Sequence, residues 1–248
     1  MDLRLESNGL QKYALTAVSI PPSASGLPSK FVLVLNTFID NCLVGAESEC
    51  HSLKVSGFFH PGTFQQYLTA SAKCVTPIPE GIDLAGAAPL MCAGVSVYAG
   101  LKRAHTKAGD WVLVSGGGGG LGHLAIQYAK AMGARVIAMD VSSKEAFCKE
   151  VGADFFIDFT KFGTDEDIIA EVKGIVPGGV KVVLCCVGSK RAYLQAQTFL
   201  GPRGTLVCLG IPVIPAGEST ALFELGPLVL NELNIIGRRI YTLLSSIH

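Results

Sequence analysis

The first 41 residues of this chain contain no cysteine and no histidine, so that stretch offers neither thiolate nor imidazole to a metal. Charge is also scarce. Only 16% of the 248 residues are charged, and 20 Lys and Arg balance 20 Asp and Glu to a formal net charge of zero. A neutral chain lacks the basic surface through which counterion release drives nucleic-acid binding, so no nucleic-acid partner is expected. Long hydrophobic runs are missing as well. The most apolar early segment, Phe31 to Leu35, is interrupted by Asn36, Asp40 and Asn41, while Asp2, Arg4 and Glu6 at the start precede no apolar stretch. Neither a signal peptide nor a membrane span is expected, and the chain reads as cytoplasmic. Its eight cysteines are scattered among apolar residues in no disulfide rhythm, which suits small buried hydrophobes. With 49% hydrophobic residues there is ample material for one large α/β domain, or one domain and part of a second.

What is present centres on one stretch. The apolar run Trp111 to Ser115 leads into the glycines of Gly116 to Gly122, then into Leu124 to Met132 at helical spacing, then into Arg135 to Met139 and Asp140. This pattern is strand, glycine turn, helix, strand, acid. The first N–H groups of a helix lack intrahelical partners and its dipole puts partial positive charge there, so a pyrophosphate can dock on that end. Within Gly117-x-Gly119-x-x-Gly122, Gly117 is expected to make the tight turn, Gly119 to admit the pyrophosphate, and Gly122 to let helix and strand pack closely. Gly118, Gly120 and Leu121 complete the cradle. Asp140 lies 18 residues beyond Gly122, where a carboxylate can accept from ribose hydroxyls and repel a 2′-phosphate, which favours NAD over NADP. Lys144 follows closely enough to stand near the adenosine ribose.

Alternation continues downstream. A helix is expected near 144–151, strands at 155–158 and 180–187, helices at 166–173 and 191–199, a turn at Gly201 to Gly204, and strands at 205–210 and 234–237. Such alternation implies a doubly wound parallel sheet, with ligand across the carboxyl ends of its strands. Val187, Leu209 and Gly210, at or near strand ends, become candidate walls for the nicotinamide half. Upstream, a helix at 90–104 leads into the first strand, with a domain boundary near Pro89. Residues 62–75 have strand chemistry, closed by Pro77 and Pro79.

Several blocks identify a resemblance: Gly62 to Tyr67, Val75 to Ala85, Ala87 to Tyr98 with its Met91-Cys92-Ala93-Gly94-Val95, Gly109 to Trp111, Gly119 to Gly122, Gln127 to Met132, and Phe156 to Thr160. From about Cys50 to Gly237 the chain resembles the zinc-type, medium-chain alcohol dehydrogenases, most closely their fungal, yeast-like branch. The resemblance implies a GroES-like catalytic domain, a Rossmann domain, and hydride transfer between NAD and a small alcohol or carbonyl substrate beside a catalytic zinc. It implies three protein zinc ligands, of which only Cys92 has a counterpart here, with Ser96 then beside the nicotinamide. Cys42 and Cys50 match the spacing of the last two ligands of the family's structural zinc lobe, while Asn36 and Ile39 stand where the others would be. One thiolate cannot hold catalytic zinc, so both metal sites are expected to be incomplete. Among the histidines, His51 beside Cys50 and His60, His105 and His123 supply no evident replacement set.

The chain thus divides into residues 1–41, unmatched and read as loop or disorder; 42–88, a remnant of the catalytic domain; 89–237, the NAD-binding domain; and 238–248, an unmatched tail. Unmatched ends around a matched middle suggest truncation or mis-assembly of the gene product. Three functions are in play. The first is an NAD-dependent alcohol dehydrogenase, inactive if its zinc ligands are missing. The second is a non-catalytic NAD-binding remnant or partner of an intact homologue, and the third a zinc-free quinone or enoyl reductase. Homo-oligomer formation is open, because the family's contacts use the edge strand of the NAD-binding domain.

Overall fold

The computed structural model describes residues 75–212 and 223–237, and before them 3–4, 17–19, 30–33, 59, 61–62 and 67–68. The chain divides into two compact units, Met1–Val95 with Ile240–His248, and Ser96–Arg239. The division falls six residues beyond Pro89, the boundary expected from the sequence.

In the first unit, β1 (Leu3–Arg4), β2 (Ala17–Ser19), β3 (Lys30–Leu33), β4 (Tyr67–Leu68) and β5 (Val75–Pro77) form an antiparallel sheet in the order β4-β1-β2-β3-β5. Three of these strands lie within 1–41, where the sequence suggests loop or disorder. They are two to four residues long, too short to show a period, and they form through distant partners such as Leu68 opposite Leu3 and Thr76 opposite Val32. Pro77 ends β5 at the sheet edge, where a missing N–H breaks no ladder.

A continuous helical run follows: α1 (Leu84–Pro89), a π-helical turn (Leu90–Gly94) and α2 (Val95–Arg103). Asp83 caps α1 by accepting the Gly86 N–H at 2.9 Å. The first half of the run packs Ala87, Met91 and Val95 with Ile78, and the second half carries Val97, Leu101 and Ala104 into the core of the second unit. By length and composition Leu84–Arg103 would pass for a membrane span, with mean hydropathy 1.6, but half of that window is buried inside the fold. Core packing accounts for its apolar character.

The second unit is a six-stranded parallel sheet. Its strands are β6 (Trp111–Ser115), β7 (Arg135–Asp140), β8 (Phe155–Asp158), β9 (Val180–Cys185), β10 (Leu200–Cys208) and β11 (Asn234–Gly237), in the order β11-β10-β9-β6-β7-β8. The order reverses between β6 and β9, which is the switch point where doubly wound sheets take ligands. Helices α3 (Gly122–Ala131), α4 (Glu145–Glu150), α5 (Asp165–Ile175) and α6 (Lys190–Phe199) connect the strands. One face packs Val112, Val114 and Val136 against Ala125, Ile126 and Ala129 of α3; the other packs Leu113, Ile137 and Val183 against Ile168 and Val172 of α5 and Phe199 of α6. Continuous apolar strands follow from burial on both faces.

Two elements depart from the sequence expectation. β10 starts at Leu200, so the glycines read as a turn at Gly201 to Gly204 lie inside the strand, where the register with β9 shifts between Leu200 and Thr205. A short helix, α7 (Leu225–Leu230), has no sequence signal, because it is under two turns long and Leu225, Val229 and Leu230 face solvent instead of forming a buried stripe.

Candidate functional site

The glycine run leaves β6 at the carboxyl edge of the sheet. Gly116 has φ +78°, a conformation that a side chain disfavours, and its N–H and that of Gly117 both donate to the Met139 carbonyl at 2.9 and 3.2 Å. The turn therefore hangs from the end of β7. A methyl group on Gly122 would overlap the Gly116 carbonyl and lie 2.7 Å from the Gly117 Cα. One on Gly117 would lie 2.9 Å from the Ala138 Cβ and 3.3 Å from the Cys148 Sγ, and one on Gly118 would lie 2.7 Å from the Lys144 Cβ and Cγ. The sequence assigns ligand approach to Gly119. A Cβ there would lie 3.2 Å from the Gly116 carbonyl, and one on Gly120 would meet nothing within 4 Å. Gly120 is the residue that borders open space.

No side chain caps α3, so the turn presents bare backbone at a helix N-terminus. Asp140 lies beside it. Its Oδ2 accepts the Gly118 N–H and its Oδ1 the Val141 N–H, both at 2.8 Å, so one carboxylate joins the end of β7 to the glycine turn. The methylene stem of Lys144 lies against Gly118. His123 hydrogen-bonds through Nδ1 to the Gly119 carbonyl at 2.9 Å; a carbonyl only accepts, so Nδ1 carries the hydrogen. The buried Cys148 lies beneath Gly117, and burial, with the Asp140 charge adding, pushes its thiol up to about 11. It is no nucleophile at neutral pH.

The ends of β9 and β10 continue this edge. The Cys186 N–H donates to the Ser115 carbonyl at 3.0 Å, while the N–H groups of Leu209 and Gly210 share the Cys185 carbonyl at 3.1 and 3.0 Å. A side chain on Gly116 would overlap Val187, one on Gly210 would overlap the Val187 carbonyl, and one on Gly188 the Ile211 carbonyl. Backbone packs on backbone there. The Tyr193 hydroxyl, on α6, donates to the Gly210 carbonyl. Burial pushes the Cys185 thiol up to about 12 and raises Cys186, Cys208 and Tyr193 as well, so these groups keep their protons at neutral pH.

Gly117 to Gly122, Asp140, Lys144, Val187, Leu209 and Gly210 are thus brought to one edge of one sheet. Tyr193 and Cys148 were not anticipated, since neither has a motif and both reach the edge only through tertiary packing. Cys92 lies in the π-helical turn of the first unit, half-buried, with its thiol raised by desolvation; Ser96 is buried at the start of the second unit. Cys42 and Cys50 lie outside the described residues. Among the described residues no group of three or more His, Cys, Asp or Glu could hold a metal ion, so the donor set present there does not fit a zinc site.

Comparison with known proteins agrees with the fold. The sequence model for zinc-binding dehydrogenase matches residues 120–247, more than half of the chain and running through the tail from 238. Alcohol dehydrogenase 2 of Emericella nidulans is 51% identical over 177 residues, covering 69% of this chain and 48% of that protein. Alcohol dehydrogenase 1 of Caenorhabditis elegans is 41% identical over 196 residues, covering 79% and 54%. The chain therefore spans about half the length of the curated relatives it matches. The crystal structure of the alcohol dehydrogenase of the hyperthermophilic archaeon Aeropyrum pernix superposes with a TM-score of 0.78 at 25% identity, over 93% of this chain and 68% of that one. With its Rossmann sheet, glycine turn and these matches, the chain belongs to the zinc-binding dehydrogenase family, of the medium-chain alcohol dehydrogenase type.

Proposed function

We propose that this chain binds NAD and contributes the cofactor-holding part of an alcohol dehydrogenase reaction, in which a small alcohol becomes an aldehyde or ketone. The observation that carries the reading is the Asp140 carboxylate, hydrogen-bonded to Gly118 at the end of β7, beside a glycine turn whose Gly120 borders open space. Bound NAD supplies the hydride acceptor. Gly120 and Leu121 would offer N–H groups to the pyrophosphate at the uncapped start of α3. Asp140 still has lone pairs for ribose hydroxyls after accepting two N–H groups, and its charge disfavours a 2′-phosphate. Lys144 stands against Gly118, on the adenosine side. Val187, Leu209 and Gly210 would wall the nicotinamide half, and the apolar, protonated thiols behind them exclude water and supply no competing base.

No step is assigned to zinc, because the described residues supply no fitting donor set. A second reading, in which the chain holds NAD without turnover, rests on the sequence, where Cys92 alone stands at a position that matches a catalytic zinc ligand of the family. Fluorescence titration of the purified protein with NADH and NADPH tests the common part of both; tighter NADH binding supports it, and equal affinity for NADPH overturns the role of Asp140. Alcohol-dependent NADH formation that a chelator abolishes would select the enzyme. Binding without turnover would select the second reading.

A further inference from the structure

We propose that Tyr193 is a positioning residue for the nicotinamide half of the cofactor: its hydroxyl, donated to the Gly210 carbonyl, sets the peptide plane at the ligand-facing end of β10. The inference rests on the NAD reading above. Gly210 lies two residues beyond the end of β10, with its N–H committed to the Cys185 carbonyl at 3.0 Å and its Cα seated on the Val187–Gly188 peptide, where any side chain would overlap. Gly188 is seated in the same way on Ile211. Two chain ends packed backbone on backbone leave one soft degree of freedom, the orientation of the peptide plane that follows Gly210. Its carbonyl can turn toward a ligand or toward α6.

Tyr193 draws it toward α6. The Tyr193 side chain is 7% exposed and belongs to the cluster that includes Cys185, Ala196 and Phe199, so its ring cannot swing out to solvent without opening the core. The start of α6 is fixed in turn, since the Tyr193 N–H donates to the Ser189 carbonyl at 3.2 Å and the Ser189 hydroxyl accepts from Ala192 at 3.4 Å. Among the described residues, the other polar groups acting on the phenol are the Cys185, Cys208 and Cys186 thiols, which are weak acceptors. Among the described residues, the Gly210 carbonyl is the strong acceptor the hydroxyl reaches. Because the two sides of a trans peptide point in opposite directions, holding this carbonyl toward α6 also fixes the direction of the next N–H. The Gly210 carbonyl lies on the β9–β10 side of this edge and the glycine turn on the β6–β7 side, so the effect is expected at one end of the cofactor.

Tyr193→Phe keeps the ring in the core and removes only the donor. Its affinity for NADH is expected to fall about fivefold, the range of one lost hydrogen bond, while affinity for ADP-ribose, which lacks nicotinamide, stays within about twofold of wild type. Amide hydrogen exchange of the peptide spanning Leu209 to Ile211 in the unliganded protein is expected to quicken in the variant. An equal loss of NADH and ADP-ribose affinity would show a general structural role and overturn the proposal, as would unchanged NADH affinity or unchanged exchange. If wild type binds neither ligand, the NAD reading itself fails and the cofactor role of Tyr193 fails with it; the exchange measurement still reports separately whether the hydroxyl holds the loop.

Discussion

Asp140→Asn tests whether one carboxylate both shapes the glycine turn and selects the cofactor. In the native protein its two oxygens accept from Gly118 and Val141, each at 2.8 Å. An asparagine offers one acceptor oxygen and one N–H₂ group, so one of the two backbone donors must face another donor. The Val141 bond spans adjacent residues and adjusts easily, whereas the Gly118 bond ties two separate elements. Hydrogen bonds to charged groups contribute about 1.5–3 kcal/mol, and because Asp140 is half-buried, water replaces part of what is lost. A loss of about 1–2 kcal/mol is expected. For a domain of this size that lowers the melting temperature by about 2–8 °C, and the same loosening of the cradle weakens NADH binding about tenfold. NADPH affinity is not expected to rise in compensation, since the turn that holds the pyrophosphate is loosened for both cofactors. Differential scanning fluorimetry and NADH fluorescence titration read the two effects. An Asp140→Asn protein that melts with wild type and binds NADH within twofold of it would refute the reasoning.

Gly122→Ala forces a methyl group onto the Gly116 carbonyl, and backbone cannot step aside cheaply, so a loss of about 1–3 kcal/mol and more than tenfold weaker NADH binding are expected in denaturant and ligand titrations. Cys148 is buried with its thiol at about 11, so a disulfide reagent at neutral pH should leave it unlabelled by peptide mass spectrometry until the protein unfolds; rapid labelling of the native protein would contradict its place under Gly117. Asp154 loses solvation by burial yet is held below the usual carboxylate range by Lys130, at 2.7 Å, and by the Val136 N–H, at 2.6 Å. A lowered native value contributes stability that is complete above the ordinary carboxylate range, near pH ~4, and is lost as pH falls through the native value. Asp154→Asn should therefore cost at most about 1 kcal/mol at neutral pH, because the pair is partly exposed, and that gap to wild type should close in acid unfolding as pH falls through the native value. A chelator should leave NADH binding unchanged, since neither Asp140 nor the glycine turn uses a metal, and a loss beyond twofold would point to a metal in the cofactor site.

Much of the second unit was legible locally. Val112 to Ser115, Arg135 to Asp140 and Val180 to Cys185 are apolar because both faces of a parallel strand are covered, and a run of five glycines between a strand and a helical period has few other uses. Elements whose existence depends on distant partners were not legible. β1, β2 and β3 are too short to carry a period and exist by pairing with one another and with β4 and β5. The start of β10 contains Gly201, Pro202 and Gly204, which locally spell a turn, yet pairing with β9 draws them into a strand. The glycines divide in the same way. Their number announces a turn, but only the surroundings distinguish Gly118, which makes room for Lys144, from Gly120, which borders open space.

By itself, the sequence determined the alternation of strand and helix, the glycine turn followed by Asp140, and the family. These are matters of residue type and spacing, which short-range sterics and the pattern of burial translate directly into local structure. Tertiary structure alone decided that Asp140 reaches back to Gly118, that Cys148 underlies Gly117, and that Tyr193 closes on the Gly210 carbonyl. Each joins residues from different elements, and the strand order that brings the ends of β7, β6, β9 and β10 side by side is set by packing the whole sheet, which no local pattern encodes.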